Sequence, residues 1–547
     1  MLEPKENPEP EKRYNPFMPL YFAIILALGV GVGYYFTFST NVNVLQNNNH
    51  SKNTVGNKIN NLIDYIQMQY VDTVNVGQLE NKTIASLLKS LDPHSDYIPA
   101  SEFEAVNEPL EGNFDGIGIE FNIINDTIRV ISPIINGPSE KLGIKAGDKI
   151  IKVDGKNMAG VKITNKKVFD KLRGKSGTDV KISILRNGHK KLLEFNIIRG
   201  KIPLYSLDIS YIIKPGIGYI KISKFASTTY DEYLSAFNHL SKQGMKKLIL
   251  DLRGNGGGFL KTAVDLSDEF LTNGLQIVYT QGRTHPKKIY SATTRGGFEQ
   301  NELIVLIDEG SASASEIMAG ALQDNDRATI IGRRSFGKGL VQDQIDLPDG
   351  SAFRLTIARY YTPTGRCIQK PYNKGLDAYY EEEYDRLQQG ELYHMDSIKY
   401  DKTKQYRTPG GKIVYGGGGI VPDIFVPLDS GKYSTIVNRL YYSGVINSFS
   451  FEYTDKNRND FLNKYKNALN FIDNFTVSEK EISSLKSYLT YKKLSFIING
   501  RETGLSQILK ALIGRNLFDK DAYYPILNKN DNCILKALEV LDGKKIN

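Results

Sequence analysis

The sequence predicts a multidomain α/β protein, and three observations carry that expectation: the chain length, two almost wholly apolar strand runs among helical patterns, and a change of hydrophobic period near Gly112. At 547 residues the chain exceeds what one core can organise, since domains run to about 100–200 residues. The runs LILDL and LIVLID have the character of strands covered on both faces by helices. An apolar fraction of 40% and a charged fraction of 24% are those of an ordinary globular protein, which excludes wholesale disorder and collagen-like or coiled-coil repeats.

In chain order, Phe17 to Phe38 is a stretch of 22 residues without a charge. As a helix it would be about 33 Å long, against about 30 Å of hydrocarbon core. Lys5, Lys12 and Arg13 precede it and the first basic residue after it is Lys52, so residues 1–16 are expected in the cytoplasm and the rest exported. A cleaved signal peptide is the competing reading. The length of the segment and its aromatic end favour an uncleaved single-pass anchor at 17–38, with the rest of the chain periplasmic in the cell envelope. Residues 39–56, rich in Asn, Ser and Thr, read as a tether.

Helical spacing in Ile59, Leu62, Ile63, Ile66 and in Ile84, Leu87, Leu88, Leu91 predicts a small helical region over 57–111. From 112 to 200 the period becomes two, as in Ile117, Ile119, Phe121 and Ile123, with turns at Asp154-Gly155 and Asn187-Gly188 and one helix opened by Thr164. A small, mostly β domain fits. Residues 201–430 alternate strands (near Gly218, Lys247, Gln276, Leu303 and Thr329) with helices (near Tyr230, Leu260 and Ala314). Within them 372–415 looks like a polar surface insertion, before a last β segment around Gly419 to Pro427. Residues 431–547 read as a separate helical extension.

The net charge of +9 comes from 70 Lys and Arg against 61 Asp and Glu, spread along the chain without a dominant block, so no nucleic-acid partner is expected. Cys367 and Cys533 form neither a disulfide framework nor a C-x-x-C pair, and the six histidines contain no H-E-x-x-H. No metal and no cofactor are expected.

Three segments carry chemistry. The strand LIVLID runs into Glu309-Gly310-Ser311-Ala312-Ser313-Ala314-Ser315-Glu316 and then a helix, so a serine sits where free backbone N–H groups can stabilise an oxyanion. An N-cap with Glu316 completing a capping box is the plainer reading of that segment alone. Gly332 to Gly339 follows the next strand, which brings Lys338 to the same sheet edge as Ser313. For that lysine to act as a base near neutrality its ammonium form must be destabilised by roughly 4 kcal/mol, which burial beside Phe336, Leu340 and Val341 can supply. The same stretch spells G-x-x-x-x-G-K, but Gly339 stands where a phosphate loop needs Ser or Thr. Third, Asp251 to Gly258 (DLRGNGGG) is either a tolerant strand-to-helix turn or a bare backbone approaching substrate, whose amides would join that of Ala314 at an oxyanion.

DLRGNGGG, GSASASEIMAGALQD and RRSFGKGLVQ, in this order and spacing, resemble the carboxyl-terminal processing (tail-specific) serine peptidases over about residues 57–430. The resemblance implies an α/β, crotonase-like protease core in which Ser313 is the nucleophile and Lys338, 25 residues later, the base; that spacing sets aside Ser311 and Ser315. It implies that Gln342 orients the lysine, and that the amides of Gly257, Gly258 and Ala314 hold the oxyanion. Asp324 matches an acidic position that some members need, with a helix-end pair to Arg327 as the competing reading. It further implies that 112–200 is a PDZ domain whose carboxylate-binding loop is Gly116-Ile117-Gly118-Ile119. The expected partners are proteins or peptides with free apolar C-termini and the membrane, with a homo-oligomer through the C-terminal helices as a further expectation. A catalytically silent, membrane-anchored PDZ scaffold is the alternative of another class.

Overall fold

A computed structural model describes residues 55–429 and 433–543, with positions 27, 29, 30 and 431. The apolar segment 17–38 lies, but for those isolated positions, outside the described residues, and among the described residues no helix is long and apolar enough to cross a membrane. The chain divides between Thr83 and Ile84. Helix α1 (Val55–Gln69) and most of α2 (Val76–Lys89) belong to the first unit, as their helical spacing predicts.

The second unit opens with the short strand β1 (Asp96–Ile98) and helix α3 (Phe103–Glu111), which ends at Gly112 with φ of 77°. The next elements are β2 (Asn113–Gly116), β3 (Ile119–Ile123), β4 (Ile128–Pro133), α4 (Pro138–Lys141), β5 (Lys149–Val153), β6 (Lys156–Asn157), α5 (Asn165–Leu172), β7 (Asp179–Leu185), β8 (Leu193–Ile198) and β9 (Gly200–Pro203). They form an antiparallel sheet in the order β3-β4-β5-β7-β8, closed at its root by the β2–β9 pair with Gly116 opposite Gly200. Ile128, Val130, Ile150, Ile182 and Ile184 fill its core together with Val168 and Leu172 of α5, which Thr164 caps by accepting the Lys167 N–H at 3.3 Å. β3 lies at the edge of the sheet.

Then follow β10 (Leu207–Lys214), β11 (Ile217–Ile222), α6 (Thr229–Lys242), β12 (Lys247–Asp251), α7 (Leu260–Asp268), β13 (Gln276–Gln281), β14 (Lys288–Ser291), β15 (Leu303–Ile307), α8 (Ala314–Asp324), β16 (Thr329–Gly332), β17 (Leu340–Asp346) and β18 (Ala352–Tyr361). The central sheet runs β10-β11-β12-β15-β16-β19, where β19 is Ile424–Phe425, and it is parallel from β11 onward. Alternate residues divide between its faces. Ile220, Leu248, Leu250 and Val305 meet α6, α7 and α8, while Tyr219, Ile249, Ile304 and Leu306 face the other way. A second, antiparallel sheet, β1-β18-β13-β14 with β17 on β18, stands beside it.

Two expectations need correction. Residues 372–415 are more than a polar surface insertion. Helix α9 (Leu376–Gln388) buries Tyr379 and Arg386, and Arg334, Arg386, Glu382 and Glu391 form an interior ion-pair network, with Arg334–Glu391 at 2.7 Å. Polar composition hides this because each charge finds its partner only in the folded chain. The C-terminal extension is also not separate throughout. Helices α10 (Thr435–Tyr442), α11 (Val445–Lys464), α12 (Ala468–Asn474), α13 (Glu479–Tyr491), α14 (Leu505–Phe518) and α15 (Lys520–Asn528) share a core of their own. Helix α16 (Asn532–Leu541) instead lays Cys533, Ile534, Ala537 and Leu541 against the second face of the central sheet.

Candidate active site

β15 is buried along its whole length and delivers the chain to Asp308–Ala312, after which Ser313 occupies the N-cap of α8. Ser313 has φ of 55° and ψ of −112°, a conformation an L-residue holds only under constraint from its surroundings. The flanking hydroxyls are committed elsewhere: Ser311 donates to the Leu252 carbonyl at 2.9 Å and Ser315 to that of Asn255 at 2.8 Å. Both are fully buried, whereas Ser313 lines an open cleft of about 580 Å³ together with Lys338, Gln342 and the glycine loop 256–258.

β16 ends at Gly332, and the following loop carries Lys338 into the same cleft. Burial first, and then the neighbouring Arg354 charge, holds the Lys338 ammonium below the usual lysine range, against the opposing pull of Glu316 and Asp92. The two loops are held together by one carboxylate. Glu316 Oε2 accepts the Ser313 N–H at 2.9 Å and the Lys338 N–H at 2.8 Å, and Oε1 accepts the Ser335 hydroxyl at 2.5 Å and the Gly337 N–H at 2.7 Å. Full burial pushes this carboxyl up to about 7 in spite of those four donors. Glu316 thus supplies the carboxylate half of the capping box read from the sequence, and it does more than cap. Tyr360, buried on β18, donates its hydroxyl toward the carbonyls of both Ser313 and Lys338.

The glycine loop is rooted in charge. Burial alone would push the Asp251 carboxyl up, but Arg253 and Lys221 outweigh it and hold it below its usual range. Arg253 grips Asp251 at 2.7 Å and reaches Asp531, the N-cap of α16, at 2.9 Å. Asn255 joins this loop to the serine loop: its carbonyl accepts the Ala312 N–H, and its Oδ1 accepts the Gly257 N–H at 2.9 Å. Gly257 is accordingly withdrawn from the free oxyanion donors, because its amide is already spent. Its bare Cα is still required, since a Cβ there would stand 2.8 Å from Ser313 Cβ and 2.9 Å from the Ala314 nitrogen. The amides of Gly258 and Ala314 have no recorded partner among the described residues.

Gln342 lines the cleft, but its amide donates to Thr356 Oγ1 at 3.3 Å, and Thr356 in turn donates to Asp92. Among the described residues no hydrogen bond joins Gln342 to Lys338. Asp324 does not pair with Arg327, whose guanidinium donates to carbonyls including that of Phe270; it pairs with Arg366 at 2.6 Å, both side chains wholly buried. Missed from the sequence altogether were Tyr360, Arg354 and His94. The His94 ring bonds the Tyr379 hydroxyl at 2.8 Å and, by burial and then by nearby Lys338, is pushed down to about 4. No local motif singles these residues out; only the pairing of distant segments brings Tyr360 and Arg354 to the cleft and His94 to the cavity beside it.

In the β domain, Ile117 is buried, its carbonyl accepts the Ser139 hydroxyl, and the Gly118 carbonyl accepts the Ile134 N–H. The amides of Ile117 and Gly118 have no recorded partner among the described residues, and the sheet-edge strand β3 that follows, starting at Ile119, sets Phe121 edge-on to Phe169 of α5 at 5.7 Å.

The carboxy-terminal-processing protease of Bartonella bacilliformis is 39% identical over 317 residues, covering 57% of this chain and 72% of that one. The chain belongs to the carboxy-terminal processing proteases. The profile of peptidase family S41 matches residues 216–377, a PDZ domain profile matches 116–197, and a family of unknown function matches 436–519. Carboxy-terminal processing protease CtpB of Bacillus subtilis is 36% identical over 325 residues, 58% of this chain and 66% of that one. Among solved structures, a photosystem II D1 C-terminal processing protease shares 26% identity at a TM-score of 0.33, covering 67% of this chain and 92% of that one. The PDZ domain of a carboxy-terminal protease from Vibrio cholerae, in complex with peptide, shares 27% at a TM-score of 0.16 over 17% of this chain and 99% of its own. As a member of this family the protein is a serine peptidase with a PDZ domain.

Proposed function

We propose that the chain is a membrane-anchored serine endopeptidase that cleaves exported proteins or peptides at or near their C-termini, with Ser313 as nucleophile and Lys338 as general base. The observation that carries this is the cleft itself, where the one uncommitted serine of the SASAS run and a lysine held below its usual range share a wall and are braced by Glu316. Neutral Lys338 takes the Ser313 proton as Oγ attacks the scissile carbonyl. The Gly258 and Ala314 amides receive the developing oxyanion, and Lys338 returns the proton to the leaving amine. Water then hydrolyses the acyl-enzyme by the same route. Gln342 steadies this side of the cleft.

Gly116–Ile119 and the free edge of β3 suit a C-terminal carboxylate followed by an added strand, with apolar side chains against Phe121 and Phe169. The uncharged segment 17–38 and the basic residues before it support an inner-membrane anchor with the protease on the periplasmic side. The test incubates the full-length chain in detergent, and its Ser313→Ala variant, with an unfolded reporter ending in apolar residues, in EDTA and without ATP. Cleavage by the parent alone supports the reading. No cleavage by either, with the reporter's tail still bound, overturns it in favour of a scaffold.

A further inference from the structure

Arg354 stands on β18 in the wall that the catalytic cleft shares with an adjoining cavity of about 560 Å³, and Lys338 and Gln342 line both spaces with it. Its guanidinium is half-buried, and two of its nitrogens are spent on neutral amide oxygens: Nε on Gln344 Oε1 at 3.1 Å and one terminal nitrogen on Asn107 Oδ1 at 3.0 Å. Those two bonds hold the planar fork in place without neutralising it. The carboxylates lining the two spaces include Glu111 and Asp343 in the cleft and Asp96, Glu102 and Asp377 in the cavity. None forms an ion pair with Arg354 within 4 Å among the described residues, although Asp96 is its cross-strand partner. Four other arginines behave differently: Arg253, Arg334, Arg366 and Arg386 each hold a carboxylate at 2.6–2.8 Å, whereas Arg327, like Arg354, donates to neutral oxygens.

Asp96 acts on this guanidinium only through space, a partly desolvated guanidinium with no carboxylate in contact is costly, and a fixed fork with free N–H groups is the shape that receives a carboxylate bidentately. We propose that Arg354 is a substrate subsite that binds a carboxylate of the peptide lying in the cleft, either its free C-terminal group or an acidic side chain near the scissile bond. The subsite is separate from the Gly116–Ile119 loop, so the tail is read twice: once when it is recruited and again where it is cut. This inference rests on the proteolytic reading of Ser313 and Lys338.

The experiment uses three short peptides of one apolar sequence: one with a free C-terminal carboxylate, one amidated, and one amidated with a single Glu placed in turn at each position after the scissile bond. Each is given to the full-length enzyme and to Arg354→Gln. The parent should cleave the free-acid peptide at least about tenfold better in kcat/KM than the plain amide, the order expected of a charge-assisted bond, and Arg354→Gln should bring that ratio near one. Taking the ratio on one enzyme cancels any change in Lys338 basicity. Rescue by one Glu position identifies the side chain as a second source, while no rescue identifies the terminal carboxylate alone. Arg354→Lys, which keeps the charge but loses the fork, should retain an intermediate ratio and guards against misfolding. An unchanged ratio in Arg354→Gln assigns the preference to the β-domain loop and overturns the proposal, as does a parent that cuts all the peptides alike. Failure of the proteolytic reading looks different, with no peptide cut by any variant. Binding of the same peptides to Ser313→Ala, with and without Arg354→Gln, then gives the answer without turnover.

Discussion

Ser313 and Lys338 meet through a single oxygen: their backbone amides both donate to Glu316 Oε2, at 2.9 and 2.8 Å. The nucleophile and its base are thus registered by their main chains, which leaves both side chains unencumbered in the cleft. Glu316→Gln should lower kcat by about 100-fold or more with a small change in KM, because a primary amide offers one acceptor where four donors converge and turns an N–H toward two of them. Steady-state kinetics on the purified variant checks this.

Stability carries the same signature. Glu316 sits at about 7 in the fold against an ordinary value of 4.5, so the folded chain holds that proton more tightly than the unfolded chain does. Its contribution is greatest below about 4.5, declines as pH rises toward 7 and is flat above, by on the order of 3 kcal/mol across the window. Denaturant titrations at a series of pH values should show this decline in the parent and lose it in Glu316→Gln.

The rate should depend on pH through Lys338. Since the base works when neutral, kcat/KM should climb with pH through a midpoint below the usual lysine range. Arg354 is the second cause of that depression after burial, so Arg354→Gln removes a repelling charge and should move the rising limb to higher pH. A midpoint that stays in place, or moves down, would show that Arg354 does not act on the base.

Among the three serines of the run, Ser313→Ala should abolish cleavage and leave stability within about 1 kcal/mol of the parent, as its side chain faces the cleft. Ser311→Ala and Ser315→Ala should remain active and lose about 1–2 kcal/mol each, because each strips a hydroxyl that ties the loop to the Leu252 or Asn255 carbonyl. Paired activity and melting measurements separate the two behaviours.

Gly257→Ala combines a φ of 101° with a Cβ forced to 2.8 Å from Ser313 Cβ. A loss of about 100-fold or more in kcat with the fold retained is expected, since the added methyl pushes the nucleophile rather than the core. Circular dichroism and kcat on the same preparation test it.

Much of this site was readable from sequence, because its parts follow apolar strands whose parallel order dictates which loops share an edge. The serine loop, Lys338 and the DLRGNGGG loop were found that way, while the choice of Ser313 among the three serines rested on the family resemblance. Glu316 was visible only as a helix cap, since local spacing reports the Ser313 bond at three residues and is silent on Gly337 and Lys338 twenty residues further on. Arg366 and Asp324, forty-two positions apart, and Arg334 and Glu391, fifty-seven apart, are ion pairs that no periodicity announces. The Gly257 amide was misassigned because Asn255, two residues before it, turns its side chain back onto the loop. Such a local turn follows from neither strand pattern nor motif.

Helix α16 covers a sheet whose first strand, β10, begins more than three hundred residues earlier, and its cap Asp531 holds the arginine at the foot of the glycine loop. Assembly order follows from this. While the chain is still being made, the catalytic sheet has one greasy side open to whatever is near, and it becomes watertight only when residues 532–541 arrive. A chain lacking residues 532–541 would leave Tyr219, Ile249, Ile304 and Leu306 bare beneath the catalytic loops, so the floor of the protease core is laid by a segment remote from it along the chain.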